Sequence, residues 1–123
     1  MKIGISSEGK DLSSQIDQRF GRCKFFLIVD SETKDFKTIS NESSFASGGA
    51  GIKAAQTIAN EEVKVVITGN MGPNAFQTLN AAGIKVFTGA NGTINEVLES
   101  YQNGKLIETK APNVDSHSGM GGN

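Results

Sequence analysis

Two closely matching glycine turns stand out as the residues best suited to holding a ligand: Thr68-Gly69-Asn70-Met71-Gly72 and Thr88-Gly89-Ala90-Asn91-Gly92. Each ends an apolar run and opens into a stretch with helical spacing. A third turn, Ser47-Gly48-Gly49-Ala50-Gly51, leads into another helical pattern. A glycine turn followed by a helix start brings backbone N–H groups and the positive end of a helix to one place, which suits an anion. Tight strand-to-helix turns need glycine for their own sake, so Gly69, Gly72, Gly89 and Gly92 also fit a protein that binds nothing. Gly48-Gly49-Ala50-Gly51 carries more glycine than a turn requires, which suits close approach by a ligand.

The other chemically capable residues are few. Arg19 and Arg22 are natural counter-charges for an anion. They could equally pair with Glu8, Asp11 or Asp17 of the same loop. Cys23 lies between Arg22 and Lys24, cations that would favour a thiolate and a bond to metal. A lone cysteine at a strand start also fits a small apolar filler. His117, in Asp115-Ser116-His117-Ser118-Gly119-Met120, puts an imidazole near a thioether, a soft-to-borderline ligand pair in the tail. Met71 could touch a sulfur-rich group or simply plug its turn.

These residues need elements to position them. At 123 residues the chain fits one domain with a single core. Lys2–Ser6 reads as a strand, 24–31 (KFFLIVDS) as a strand covered on both faces, and 36–39 as a short return strand. Leu12, Ile16 and Phe20 punctuate a long polar loop and could pin it to the body. Ile52, Ala55, Ile58 and Ala59 recur at helical spacing. Val63–Thr68 reads as a buried strand. Pro73 opens a helix with Ala75, Phe76, Leu79 and Ala82 on one face and Gly83 as its stop. Ile84–Thr88 is a further strand, and Thr93-Ile94-Asn95-Glu96 is a capping box for a last helix ending at Gly104. The order βββαβαβα predicts an α/β fold, a mixed five-stranded sheet with helices on its faces. Residues 1–109 form the domain and 110–123, rich in Gly, Ser and Asn, a flexible tail. This topology brings all three glycine turns, the Arg19–Arg22 loop and Cys23 to one sheet edge.

Composition excludes several functions. Twelve basic residues stand against thirteen acidic ones, with no Trp and one Tyr. There is neither a charge footprint nor a stacking platform for nucleic acid, and nothing of membrane-spanning length. A single Cys forms no internal disulfide, so a reducing, cytoplasmic setting is the simpler expectation.

Arg19-Phe20-Gly21-Arg22-Cys23 before 25–30 (FFLIVD), Gly49-Ala50-Gly51-Ile52-Lys53-Ala54-Ala55-Gln56, and Thr68-Gly69-Asn70-Met71-Gly72-Pro73-Asn74-Ala75-Phe76 resemble the three marked segments of the dinitrogenase iron–molybdenum cofactor biosynthesis family. The likeness runs from Met1 to about Tyr101 and is of the NifX, NafY and NifB C-terminal-domain type, in a small stand-alone form. The resemblance implies a ribonuclease-H-like fold. It also implies binding or carriage of a molybdenum/iron–sulfur or other metal–sulfur cluster, or its precursor, with donor and acceptor proteins as partners.

The reading is a non-enzymatic carrier of an anionic metal–sulfur cofactor. Arg19, Arg22, Gly49, Gly51, Gly69, Asn70, Gly72 and Gly89 would contact the cofactor, and Cys23 and His117 would supply metal ligands. A phosphate or nucleotide module on the same turns is the alternative, though the Lys-Ser/Thr of a P-loop is missing. A protein-interaction domain without a small ligand is another. Nuclease chemistry needs clustered carboxylates, and the first strand carries none.

Overall fold

The structure of the protein, a computed structural model, describes residues 1–42 and 48–113. Its elements run β1 (Lys2–Ser7), β2 (Phe25–Asp30), β3 (Phe36–Ser40), α1 (Ala50–Ala59), β4 (Val65–Ile67), α2 (Pro73–Ala81), β5 (Lys85–Phe87) and α3 (Ile94–Gln102). The strands form one mixed sheet in the spatial order β3-β2-β1-β4-β5. β1 pairs antiparallel with β2 and parallel with β4. The ladders of β4 and β5 are three residues each, shorter than the apolar runs that contain them.

Alternation along the strands divides the core between the two faces. Ile3, Ile5, Leu27, Val29, Val65 and Ile67 face α3, packing with Ile94, Val97 and Leu98. Phe26, Ile28, Val66 and Val86 face α1 and α2, packing with Ala54, Ala55, Ile58, Ala75 and Leu79. Ile16 and Phe20 are buried, so the long loop is tied down by two of its three spaced apolar residues, and Leu12 packs partly buried beside them. Helical spacing assigned Ile52 to the inward face of α1. The helix instead starts at Ala50 after a left-handed Gly49 (φ 70°), which turns Ala50, Ala54, Ala55 and Ile58 inward and leaves Ile52 36% exposed. Ala82, assigned to the inward face of α2, follows its last residue and is exposed.

The register fixes which ends of the strands lie together. Ser40 pairs with Phe25, Phe25 with Ser7, Ile5 with Ile67, and Ile67 with Phe87. The segments leaving β1, β3, β4 and β5, and the one entering β2, therefore meet at one edge. Asp30 pairs with Lys2 at the opposite end. Beyond α3, residues around Glu108 and Thr109 run along β5. The Thr109 N–H donates to Val86 O at 2.7 Å, and the Thr88 N–H donates to Thr109 Oγ1 at 2.9 Å.

Candidate anion site at the glycine edge

The segment Arg19-Phe20-Gly21-Arg22 joins two of the glycine turns physically. On one side, the Asn70 N–H donates to Gln18 O at 2.7 Å and the Phe20 N–H to Asn70 O at 3.3 Å, a parallel bridge of Arg19 with Asn70. On the other side, Gly21 lies against the first turn of α1: a Cβ on Gly21 would stand 3.1 Å from the Gly51 Cα and N. Gly51 in turn abuts Ala75 in the first turn of α2, where a Cβ would sit 3.4 Å from the Ala75 Cβ. Close approach to the Gly51 backbone is the physical reason for glycine at 21, while a Cβ on Gly51 would stand in ordinary contact with Ala75. Phe20 packs tilted against Phe26, with ring centroids 5.2 Å apart, and this anchors the segment in the core.

The helix starts differ in what they leave available. Neither α1 nor α2 has a side-chain cap or an acidic residue in its first turn. Their positive ends face the edge with no acidic residue of their own in the first turn. The start of α3 is closed. Its first N–H groups donate to Ser14 O (Ile94), Leu12 O (Asn95) and Thr93 Oγ1 (Glu96), and the Glu96 carboxylate accepts from the Thr93 N–H at 2.8 Å. The Gly89 N–H donates to Gly69 O at 2.8 Å, and Gly92 O accepts from Ile16. The third turn thus lies at the predicted edge, but its Gly89 and Ala90 N–H groups are spent on the fold, the latter on Thr68 O at 3.3 Å. Gly89, expected in the site from the repeat, has no N–H left for a ligand.

Arg19 and Arg22 are exposed. The Arg19 Nε lies 3.6 Å from Asp17 Oδ1, a loose pair that leaves most of the guanidinium in solvent. Arg19 and Lys24 line a shallow depression of about 340 Å³ with Glu8, Asp17 and Gln18. Gly48 and Gly49 are exposed, as is Asn70, while Gly51 and Gly72 are half-buried. Gly69 is buried because Gln18 is seated on it.

Cys23 lies at the expected edge but beneath it. It is 0% exposed, and its thiol donates to Phe20 O at 3.3 Å. Burial pushes the Cys23 thiol up to about 12, and the charge of nearby Asp17 adds to that effect. The flanking Arg22 and Lys24 were expected to favour a thiolate. Both are exposed while the sulfur lies in the core, so desolvation wins. Met71 is likewise a buried plug, 1% exposed, in the same cluster as Cys23. His117 lies outside the described residues. Among the described residues no three His, Cys, Asp or Glu side chains are grouped to hold a metal ion. Nor is any helix long and apolar enough to cross a membrane.

Several residues that the sequence did not mark build the floor of this edge. The buried polar side chains among the described residues are Ser6, Ser7, Asp17, Asn41 and Thr68, at or beside the ends that converge here. Ser6 Oγ donates to Asp17 O at 2.7 Å and lies 2.7 Å from Thr68 Oγ1. The Asn41 amide donates to Gly21 O at 3.1 Å and to Cys23 O at 2.9 Å, and so braces the turn that carries Arg22. A buried polar group needs such partners, but their identity emerges only from the fold.

The sequence model described as dinitrogenase iron–molybdenum cofactor matches residues 1–104. The chain belongs to this family. It is similar to the orange protein of Desulfovibrio gigas, solved in its apo form, at 38% identity and a TM-score of 0.89, over 92% of this chain and 96% of that one. A NifB-like protein of Thermotoga aligns at 36% identity and a TM-score of 0.78, over 92% of this chain and 98% of that one. An uncharacterized protein of Methanocaldococcus jannaschii is 33% identical over 109 residues, 86% of this chain and 89% of that protein.

Proposed function

We propose that this protein binds and carries an anionic metal–sulfur cofactor, or its precursor, and performs no catalysis on it. The observation that carries the reading is the Arg19–Arg22 segment, held across the starts of α1 and α2 by Gly21 on Gly51 and by Arg19–Phe20 on Asn70. Arg19, Arg22, Gly49, Gly51, Asn70 and Gly72 surround the cargo. Charge-assisted hydrogen bonds from guanidinium and backbone N–H groups hold it. The buried Cys23 contributes packing and no metal bond. His117, outside the described residues, stays in this proposal as a further ligand to the cargo. Holding by charge rather than by several thiolates suits a carrier that must release its cargo, so donor and acceptor proteins in the cytoplasm complete the proposal. The ribonuclease-H-like description of the fold belongs to the same proposal.

Anaerobic titration of the full chain with tetrathiomolybdate, followed by its charge-transfer absorption, tests this reading. Stoichiometric binding that weakens steeply with salt and resists millimolar inorganic phosphate supports it. Displacement by equimolar phosphate would instead assign the edge to a phosphate ligand. No spectral change at any ratio would remove the anion-carrier reading.

A further inference from the structure

Asn113 folds back onto the second glycine turn. Its Oδ1 accepts from the Met71 N–H at 2.7 Å, and its own N–H donates to Met71 O at 3.2 Å. Its Nδ2 donates to Gly69 O at 3.2 Å and to Asn70 Oδ1 at 3.1 Å. One exposed side chain therefore engages every residue of Gly69-Asn70-Met71, the turn that leads directly into the uncapped start of α2. The approach is guided by the strap along β5, where Thr109 is bound to Val86 and Thr88. Among the three turns, the third is closed by the fold's own cap. The second is closed by a residue from the far end of the chain.

We propose that Asn113 is a built-in competitor for the anion site, an autoinhibitory contact that cargo displaces. The inference rests on the carrier reading above. The amide oxygen of Asn113 takes the Met71 N–H, a donor that an incoming anion would use, and its amide nitrogen holds the Asn70 side chain away from that anion. The Asn113 bonds are neutral, whereas those to a thiometallate are charge-assisted and stronger. Cargo therefore wins the turn at sufficient concentration, and without cargo the turn stays covered. Apparent affinity is lowered by the fraction of molecules in which Asn113 is docked. Docking also fixes the chain at Ala111 and Pro112, so the Lys110–Ala111 bond is held close to the body while the site is empty and is freed when cargo binds.

The test uses the full-length protein and N113A, with tetrathiomolybdate as the anion probe and trypsin cleavage after Lys110 as a second readout. The exposed position of Asn113 makes loss of the fold an implausible cost of the substitution. N113A is expected to bind the probe about five- to tenfold more tightly than wild type, as removal of a competitor docked in most molecules requires. It is also expected to be cleaved at Lys110 at one fast rate, with or without probe, whereas wild type is cleaved faster once probe is bound. Equal or weaker binding by N113A, with wild type still binding, would overturn the competitor role and leave the carrier reading standing. Failure of both proteins to bind would overturn the carrier reading itself, and this proposal with it.

Discussion

Gly69→Ala puts the most strain on the contact that assembles the site. Gly69 is buried, and a Cβ there would fall 2.7 Å from Gln18 Cα and 2.6 Å from Gln18 Cδ. The Gln18 side chain can swing aside, but its Cα cannot move without opening the bridge in which Asn70 donates to Gln18 O and Phe20 to Asn70 O. Overpacking of this kind costs about 1 to 3 kcal/mol, and a backbone hydrogen bond lost with it about 1 more. A loss of roughly 2 to 4 kcal/mol lowers the melting midpoint of a domain this size by about 8 to 15 °C. Gly48→Ala is the matched control: among the described residues nothing stands within 4 Å of its Cβ position, and its φ is not left-handed. Its stability should stay within about 1 kcal/mol of wild type, on the favourable side. Thermal unfolding followed by circular dichroism compares the three proteins, with urea m-values checking that the unfolded state is unchanged. A Gly69→Ala midpoint within about 3 °C of wild type, or equal damage from Gly48→Ala, would refute the account of how the arginine segment is seated.

Cys23 should resist alkylation by iodoacetamide in the folded protein at pH 8 and react readily in urea, because burial holds its thiol protonated up to about 12. The same shift gives a pH dependence. The folded thiol keeps its proton between its ordinary value of 9.0 and about 12 while the unfolded thiol loses it. Stability is therefore intact below pH 9 and falls by about 1.4 kcal/mol per pH unit above it. In urea unfolding series, Cys23→Ala should remove that slope. Thr93→Ala should cost about 1 kcal/mol by removing the Glu96 N–H acceptor from the α3 cap, read by the same denaturation series. In wild type the Thr93 N–H, with its hydroxyl, holds the Glu96 carboxyl below the usual carboxylate range. That contribution is present above the ordinary Glu value and is lost as pH falls through the depressed one. A carbon-13 titration should show Glu96 rising toward its ordinary value in Thr93→Ala.

Much of this architecture was legible in the chain because it rests on local signals. The capping box at Thr93, the proline start of α2 and the stop at Gly83 are short-range chemistry, and each appears where its residues stand. The convergence of Arg19–Cys23 with the glycine turns followed from strand order alone, since an antiparallel β1–β2 pair brings residue 23 to the end where β4 and β5 finish. What sequence reasoning missed depends on which way a residue faces. The two repeated glycine turns look alike, but the long loop closes one through Leu12, Ser14 and Ile16 and seats Gln18 on the other. The charges beside Cys23 suggested a reactive thiolate, whereas the turn leading into β2 packs its sulfur inward, with Phe20 O as its hydrogen-bond acceptor. Asn41 and Asn113 gave no local signal, because their partners are distant in sequence and an asparagine in a loop looks like any other.

The central claim is that charge and backbone donors, not a thiolate, hold the cargo. Anaerobic tetrathiomolybdate titration of Cys23→Ser beside the double variant Arg19→Ala/Arg22→Ala measures this directly. The account predicts that Cys23→Ser binds within about threefold of wild type, since an inward-facing sulfur makes no bond to the cargo. The double variant should lose about tenfold or more, with a flatter salt dependence, as two charge-assisted contacts disappear. Loss of binding in Cys23→Ser together with wild-type affinity in the double arginine variant would contradict it and place the cargo on the sulfur.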